Sequence, residues 1–310
     1  MPEVGLEPTC PCSEPGGLSP LRLPIPPLGL SIQLYVDYFS CGTGEAIPTK
    51  KDFDLTAVYG LIAYTKRGLM RELENKVVLI TGAAKGMGAA EAKMAADRGA
   101  TVIISDVLEE QGNETANSIG SDYYHLDVSN PADWKSVVSA VVESHGRIDG
   151  LVNNAGIFIR KTLFDDGQEA FEAMTRVNQL GTYLGMECVA PIMRDQKCGS
   201  IVNISSVAGL RGQHNVGYVA SKFAVTGMTK AVAMQLAKFN VRCNSVHPGA
   251  ISTDMSAGLG PKGVEMLKSV TPMERIGEPE EVAEVVMFLL GDGSTYLTGA
   301  ELVVDGGFIL

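Results

Sequence analysis

Lys76-Val77-Val78-Leu79-Ile80-Thr81-Gly82-Ala83-Ala84-Lys85-Gly86-Met87-Gly88 runs from an apolar stretch straight into a cluster of glycines. The stretch is short, β-branched and free of alternating polar residues, which predicts a strand buried on both faces. From Gly88 to Arg98 the chain is rich in alanine and predicts a helix that Gly99 closes. The glycines at 82, 86 and 88 follow G-x3-G-x-G rather than the commoner G-x-G-x-x-G. Missing side chains allow a tight turn and close backbone approach to a ligand. A positive helix N-terminus lies just beyond, so the turn suits a phosphate-bearing cofactor.

The same alternation continues outward. Ala100-Thr101-Val102-Ile103-Ile104-Ser105 predicts a second strand ending at Asp106, and Tyr123 to Leu126 a third that reaches Asp127. Asn130-Pro131 offers an N-cap and a first-turn proline for a helix running to about His145. Strands near Gly150–Asn153, Ser200–Ser205, Val241–Val246 and Glu301–Val304 alternate with helices at about 168–194, 217–238 and 278–290. The fold class is α/β: a single Rossmann-type domain over 72–310, with a doubly wound parallel sheet and helices on both faces.

Residues 1–71 read differently. Prolines at 2, 8, 11, 15, 20, 24, 26, 27 and 48 interrupt every candidate helix, and no periodicity persists. This proline-rich extension reads as disordered, or as spurious upstream sequence with Met70 the true start; a small packed appendage is the alternative. Its most apolar piece, Leu21 to Val36, is too short and proline-broken to span a bilayer, and Met1-Pro2-Glu3 offers no basic signal region. Over the whole chain, 36 acidic residues against 25 Lys and Arg give a net charge of −11, which argues against nucleic acid as a partner. The six cysteines show neither metal-type spacing nor a disulfide framework. The expectation is a cytoplasmic protein with no metal and no membrane partner.

Chemistry concentrates in Tyr218-Val219-Ala220-Ser221-Lys222, twelve residues after Ser206. Residues at i and i+4 share one helix face, so the Lys222 ammonium lies close to the Tyr218 phenol. A free tyrosine titrates near ~10, too high for a proton shuttle at neutral pH, and a fixed positive charge favours its phenolate. Asp106, at the end of the second strand, can accept hydrogen bonds from an adenosine ribose and repels a 2′-phosphate. That favours NAD over NADP. Lys85 in the turn pulls the other way, since a cation there neutralises a 2′-phosphate.

Thr81-to-Gly88, Asn153-Asn154-Ala155-Gly156, Asn178, Ser206, Tyr218-x3-Lys222 and Pro248-Gly249 occur in this order, and over 72–310 the chain resembles the classical short-chain dehydrogenase/reductase family. Within it the likeness is to bacterial 3α/20β-hydroxysteroid dehydrogenases, through Ser105-to-Glu110, Tyr124-to-Val128, Gly199-to-Leu210, Val246-to-Gly249 and Thr298-to-Gly307. The resemblance implies that Tyr218 is the general acid/base and that Ser206 holds the substrate oxygen. It implies that Lys222 lowers the phenol's pKa and bonds the nicotinamide ribose, while Asn178 holds the water linking Lys222 to solvent. By the same resemblance Gly82, Ala84, Lys85, Gly86, Met87, Gly88, Asp106 and Val107 meet the pyrophosphate and ribose. Asp127 and Val128 border the adenine, and Asn153, Asn154, Ala155 and Gly156 its ribose side. Pro248, Gly249, Ile251 and Thr253 meet the carboxamide and phosphate region. A homotetramer is implied too, consistent with apolar residues on more than one face of the two central helices: Met174, Val177, Leu184, Val225, Met228, Val232 and Met234.

The implied activity is NAD-dependent hydride transfer on a hydrophobic, hydroxysteroid-like secondary alcohol or ketone. An NADPH-dependent 3-oxoacyl thioester reductase is the alternative enzyme, and a catalytically silent nucleotide-binding protein the alternative of another class. One departure stands out: the family more often places its serine thirteen residues before the tyrosine, which points to Ser205. Alignment on Asn203-Ile204-Ser205-Ser206-Val207-Ala208-Gly209 selects Ser206. His247 reads as structural, and Ser252 to Arg275, with Gly258, Gly260 and Pro261, as a mobile cover over the substrate.

Overall fold

The computed structural model describes residues 72–165 and 167–310; the expectations for residues 1–71 lie outside the described residues. Strands β1 (Val77–Thr81), β2 (Thr101–Asp106), β3 (Asp122–His125), β4 (Gly150–Asn153), β5 (Gly199–Ile204), β6 (Val241–Pro248) and β7 (Glu301–Val304) form one sheet. Their order is β3-β2-β1-β4-β5-β6-β7, and every pairing is parallel. Parallel neighbours require crossovers, which the helices supply. These are α1 (Gly86–Asp97), α2 (Glu109–Ile119), α3 (Pro131–His145), α4 (Gln168–Met174), α5 (Gly181–Gln196), α6 (Val216–Leu236), α7 (Asp254–Ala257), α8 (Gly260–Val270) and α9 (Pro279–Leu290). This is the Rossmann-type architecture expected from the alternation.

Successive strand residues point to opposite faces, so each central strand feeds two cores. Leu79, Ile103, Leu151 and Ile201 pack with Trp134 of α3 and with Val189 and Met193 of α5. Val78, Ile80, Val102 and Val152 pack on the other side with Ala92 and Ala95 of α1 and with Val282 and Val286 of α9. Both faces are dry, which is why β1, β4 and β5 carry no polar alternation. Strand order reverses between β1 and β4, leaving a crevice at their carboxyl ends.

Local signals act as expected at α3, where Asn130 Oδ1 accepts the Ala132 N–H at 3.0 Å and Pro131 starts the first turn. Elsewhere the chain departs from expectation. The helix predicted at 168–194 contains a π-helical turn, Thr175–Leu180, between α4 and α5. Inside it the Asn178 carbonyl accepts a bond from the Thr182 hydroxyl at 2.8 Å. Within the segment expected to cover the substrate, Gly260 opens α8 at φ +68° and Pro261 lies in its first turn. Helix α2 has no counterpart in the sequence reading, because its buried face is only Gly112 and Ala116.

Glu91 of α1 is fully buried, and neither carboxylate oxygen has a hydrogen-bond partner. Burial pushes its pKa up to about 8. The folded state therefore holds a proton that the unfolded chain releases near 4.5. Stability is full below that value and falls as pH climbs through about 8. Each pKa unit is worth about 1.4 kcal/mol, so the loss across the window is of the order of a few kcal/mol. Glu91→Met removes the slope. Its advantage in melting temperature over the parent should be small at pH 5 and several degrees at pH 8.5; an advantage that is the same at both contradicts this.

Candidate active site

A cleft of about 1210 Å³ opens at the carboxyl ends of the central strands. It is roomier than the ~300–1,000 Å³ of a typical single-ligand pocket. The glycine turn, Asp106, Asp127, Met255, Met266 and Phe308 all border it.

The turn is shaped by close contacts. Gly82 has φ +65°, and a Cβ there would stand 2.7 Å from the Ala155 Cα. A Cβ on Gly88 would fall 2.3 Å from the Gly82 carbonyl oxygen. Only glycine fits either position. Lys85, at the N-cap of α1, places no side-chain acceptor on the helix's first amides. Those N–H groups are available to an anion, so the cradle fits a dinucleotide pyrophosphate.

Two polar devices hold this cradle. Thr81 Oγ1 accepts the N–H groups of Asn154 (3.2 Å) and Ala155 (3.1 Å). In return Asn154 Nδ2 donates to the carbonyls of Thr81 (2.9 Å) and Gly82 (3.0 Å). Asp106 is the second device: Oδ2 accepts the Ala84 N–H and Oδ1 the Leu108 N–H, each at 3.0 Å. A carboxylate offers about four lone-pair sites, so capacity for a ribose remains. Lys85 does not turn toward Asp106; its Nζ pairs with Asp254 Oδ2 on α7 at 2.7 Å. Both partners are exposed, so that pair contributes little stability.

At the far side of the turn, Asn215 caps α6. Its Oδ1 accepts the Tyr218 N–H at 2.8 Å, and its Nδ2 donates to the Ile159 carbonyl at 2.6 Å. This cap fixes Tyr218 in the first helical turn, where Phe158 packs edge-on at 5.1 Å. The Tyr218 phenol is raised above its usual value by burial, with a hydrogen bond to the Ser206 side chain pulling the other way. No hydrogen bond joins Lys222 to the phenol among the described residues. Lys222 Nζ donates instead to the Ile204 carbonyl at 2.8 Å and lies 5.7 Å from the Tyr218 ring centroid. Burial lowers the Lys222 pKa to about 8.

Both serines border the cleft but differ in their contacts. Ser205 Oγ donates to the Lys222 carbonyl at 3.0 Å and lies 3.1 Å from Thr226 Oγ1, an interior packing role. Ser206 borders the cleft, bonds to Tyr218, and accepts the Ala208 N–H at 3.1 Å. Beneath it, His247 Nδ1 lies 3.0 Å from the Ser206 carbonyl and Nε2 lies 2.8 Å from Ser245 Oγ. Burial lowers the His247 pKa, so the neutral ring donates through Nδ1 and accepts through Nε2. His247 thus braces the backbone of Ser206, a role that only the tertiary fold reveals.

Of the residues singled out from sequence, Gly82, Lys85, Gly86, Met87, Asp106, Val107, Asp127, Val128, Asn154, Ala155, Gly156, Ser206, Tyr218, Lys222, Pro248, Gly249, Ile251 and Thr253 line one cleft. Ala84 and Gly88 stand behind the lining, as supports of the turn. Asn153 is buried in the core and donates to Asn203 at 2.8 Å, so it does not border a ribose site. Asn178 is buried as well. Its carboxamide takes both backbone groups of Ile157 and donates to Ser221 Oγ at 3.1 Å. A Cβ on Gly156 would stand 3.4 Å from Asn178 Oδ1 and 3.5 Å from Lys222 Nζ, which places the two side by side. No cluster of three or more His, Cys, Asp or Glu suited to a metal occurs among the described residues.

Residues 82–309 match the family model described as enoyl-(acyl carrier protein) reductase. The chain is 41% identical over 244 residues to a trans-4-hydroxycyclohexanecarboxylate dehydrogenase of Sinomonas cyclohexanicum, covering 75% of this chain and 92% of that protein. It is 40% identical over 240 residues to a 3-alpha-(or 20-beta)-hydroxysteroid dehydrogenase of Mycobacterium bovis (76% and 90% covered). It is 43% identical over 244 residues to the 3-oxoacyl-[acyl-carrier-protein] reductase FabG of Thermotoga maritima (77% and 99%). Among solved structures, levodione reductase superposes with a TM-score of 0.73 at 35% identity, over 76% of this chain and 98% of that one. The chain belongs to the short-chain dehydrogenase/reductase family. It is an NAD(P)-dependent oxidoreductase acting on CH–OH groups.

The double anchoring by Asp106 has a consequence without any nucleotide. Asp106→Ala releases the Ala84 and Leu108 amides from charged acceptors. Net bonds to charged groups are worth about 1.5–3 kcal/mol each, and water recovers part of that at this cleft edge. Denaturant unfolding of the nucleotide-free protein should show a loss of about 2 kcal/mol. An unchanged midpoint would assign Asp106 to the ribose alone.

Proposed function

We propose that the protein transfers hydride between NAD and a hydrophobic secondary alcohol or ketone, with a ring-bearing alcohol as the substrate class. The observation that carries this reading is that Ser206, Tyr218 and Lys222 line one cleft together with a set of apolar side chains. Bound nicotinamide would supply the hydride acceptor or donor, and the protein's own residues handle the proton and the geometry.

In this reading Ser206 Oγ and Tyr218 Oη both meet the substrate oxygen, fixing its position and stabilising charge that develops on it. Tyr218 Oη takes the proton during oxidation and returns it during reduction. The phenol is held high by burial, so a nearby cation is needed to favour its ionised form. Lys222 is that cation, with an ammonium weakened by burial and steadied by the Ile204 carbonyl. Asn178, locked by Ile157 and Ser221, fixes the backbone beside Lys222, and its assigned role is to hold the water that links Lys222 to solvent. Phe158, Met255, Leu259, Met266 and Val270 supply the apolar wall against which a ring packs. The ring alcohols named in two of the relatives support that class.

NAD is favoured because Asp106 keeps both oxygens at the ribose end while Lys85 is drawn to Asp254. The FabG likeness is what favours a second reading, an NADPH-dependent 3-oxoacyl thioester reductase. We also infer a cytoplasmic homotetramer. Phe171, Leu180, Tyr183, Phe223 and Met234 are exposed on the helices that carry Asn178 and Tyr218. Of the residues flagged from sequence only Met234 is among them; Met174, Leu184 and Val225 are core, and Val177, Met228 and Val232 pack against it.

Steady-state oxidation of cyclohexanol tests the reading. Tyr218→Phe should lower kcat about 100- to 10,000-fold with nucleotide binding nearly intact. The parent should prefer NAD over NADP by at least about tenfold in kcat/KM, equivalent to ~1.4 kcal/mol. Retention of a third of parental kcat would remove Tyr218 from the proton path, and a preference for NADPH would move the assignment to the second reading.

A further inference from the structure

The charged groups lining the cleft are Lys85, Asp106, Asp127, Arg211, Lys222 and Asp254, and all but one are accounted for. Lys85 pairs with Asp254. Asp106 holds the Ala84 and Leu108 amides, and Asp127 accepts the Ser129 N–H and hydroxyl. Lys222 is buried on the Ile204 carbonyl. Arg211 has no carboxylate partner among the described residues. It stands in the stretch between Ser206 and Tyr218, at the substrate end, in a protein whose net charge is −11.

Arg211 is nevertheless held in place. Its guanidinium lies 5.0 Å from the Phe308 ring centroid, a cation–π contact, and Nη1 donates to the Phe308 carbonyl at 3.3 Å. Phe308 belongs to a turn built on Asp305, whose carboxylate accepts the amides of Gly307 (2.8 Å) and Ile309 (2.9 Å). Its backbone N–H also returns to the Asp305 carbonyl at 3.2 Å. One Nη1 bond leaves most of the guanidinium's five N–H donors without a partner among the described residues. Gln213 and His214 border the same wall. A pre-positioned, exposed guanidinium beside the neutral side chains of this wall matches the planar, two-oxygen geometry of a carboxylate.

We propose that Arg211 is a specificity-determining residue that binds a carboxylate on the substrate, making the preferred substrate a ring secondary alcohol, or its ketone, that also bears an acid group. The proposal rests on the hydride-transfer reading for the alcohol end, and on Arg211 alone for the acid end. Phe308 acts as the brace that keeps the guanidinium over the cleft.

The test compares 4-hydroxycyclohexanecarboxylate with 4-methylcyclohexanol, both with NAD, on the parent, Arg211→Met and Arg211→Lys. Binding of cyclohexanecarboxylate to each protein in the presence of NADH is measured by calorimetry alongside. The parent should favour the acid. Arg211→Met should reduce the acid-over-neutral ratio of kcat/KM, and the carboxylate affinity, by about 10- to 100-fold, and Arg211→Lys should restore part of both. A parent that does not discriminate overturns the proposal. So does an equal loss on both alcohols with a lowered melting temperature, because that result makes Arg211 only an anchor for the Phe308 turn. If neither alcohol turns over while carboxylate binding still depends on Arg211, the hydride-transfer reading fails and the acid site stands.

Discussion

Thr81 and Asn154 hold each other across the boundary between β1 and β4. The threonine hydroxyl takes two amides of the β4 extension, and the asparagine side chain returns two bonds to the end of β1. A parallel sheet that winds outward in two directions opens a crevice at this point, just beyond the last ladder pair, Ile80 and Val152. The clamp sets the distance between the glycine turn and Ala155. That distance is short enough to forbid a side chain at Gly82. From there the rest follows by connection. Gly156 brings the chain past Lys222 and Asn178, and Asn178 in turn fixes both backbone groups of Ile157.

The cleft residues assigned to the chemistry sit on different elements and are held through polar contacts in the interior. Tyr218 depends on the Asn215 cap, Ser206 on the His247 ring, and Lys222 on the Ile204 carbonyl. Each support is buried or nearly so, where an unpaired donor or acceptor costs about 1–3 kcal/mol. Replacing a support therefore disturbs folding and geometry together. Asp106 shows the same double duty, holding the turn's amides and facing the ribose end of the cleft.

Much of this was legible in the order of residues, for identifiable reasons. Buried parallel strands need apolar residues on both faces, so β1, β2 and β5 announce themselves, and Asn130-Pro131 marks the start of α3. Six short motifs in fixed order contain most of the polar cleft lining. What sequence did not reveal was mostly reciprocal contact. Asn153 and Asn154 are neighbours of the same type, yet one is buried against Asn203 and the other clamps the turn. The π-helical turn at Asn178 leaves no compositional trace. The i, i+4 spacing of Tyr218 and Lys222 reads as proximity, but not as the burial that raises the phenol's pKa and lowers the ammonium's, nor as the ammonium's bond to Ile204. Asn215 was the one support with a readable sign, an asparagine three residues before a helical tyrosine.

The central claim is that one cleft accepts a hydride from a secondary alcohol while Tyr218 takes the proton. Cyclohexanol carrying deuterium at the carbinol carbon, incubated with the protein and NAD, tests it at the level of atoms. Mass spectrometry should find one deuterium in the reduced nucleotide for each cyclohexanone formed, and Tyr218→Phe should suppress both products together. Ketone formed without deuterium in the nucleotide, or label transfer that persists undiminished in Tyr218→Phe, would contradict the account.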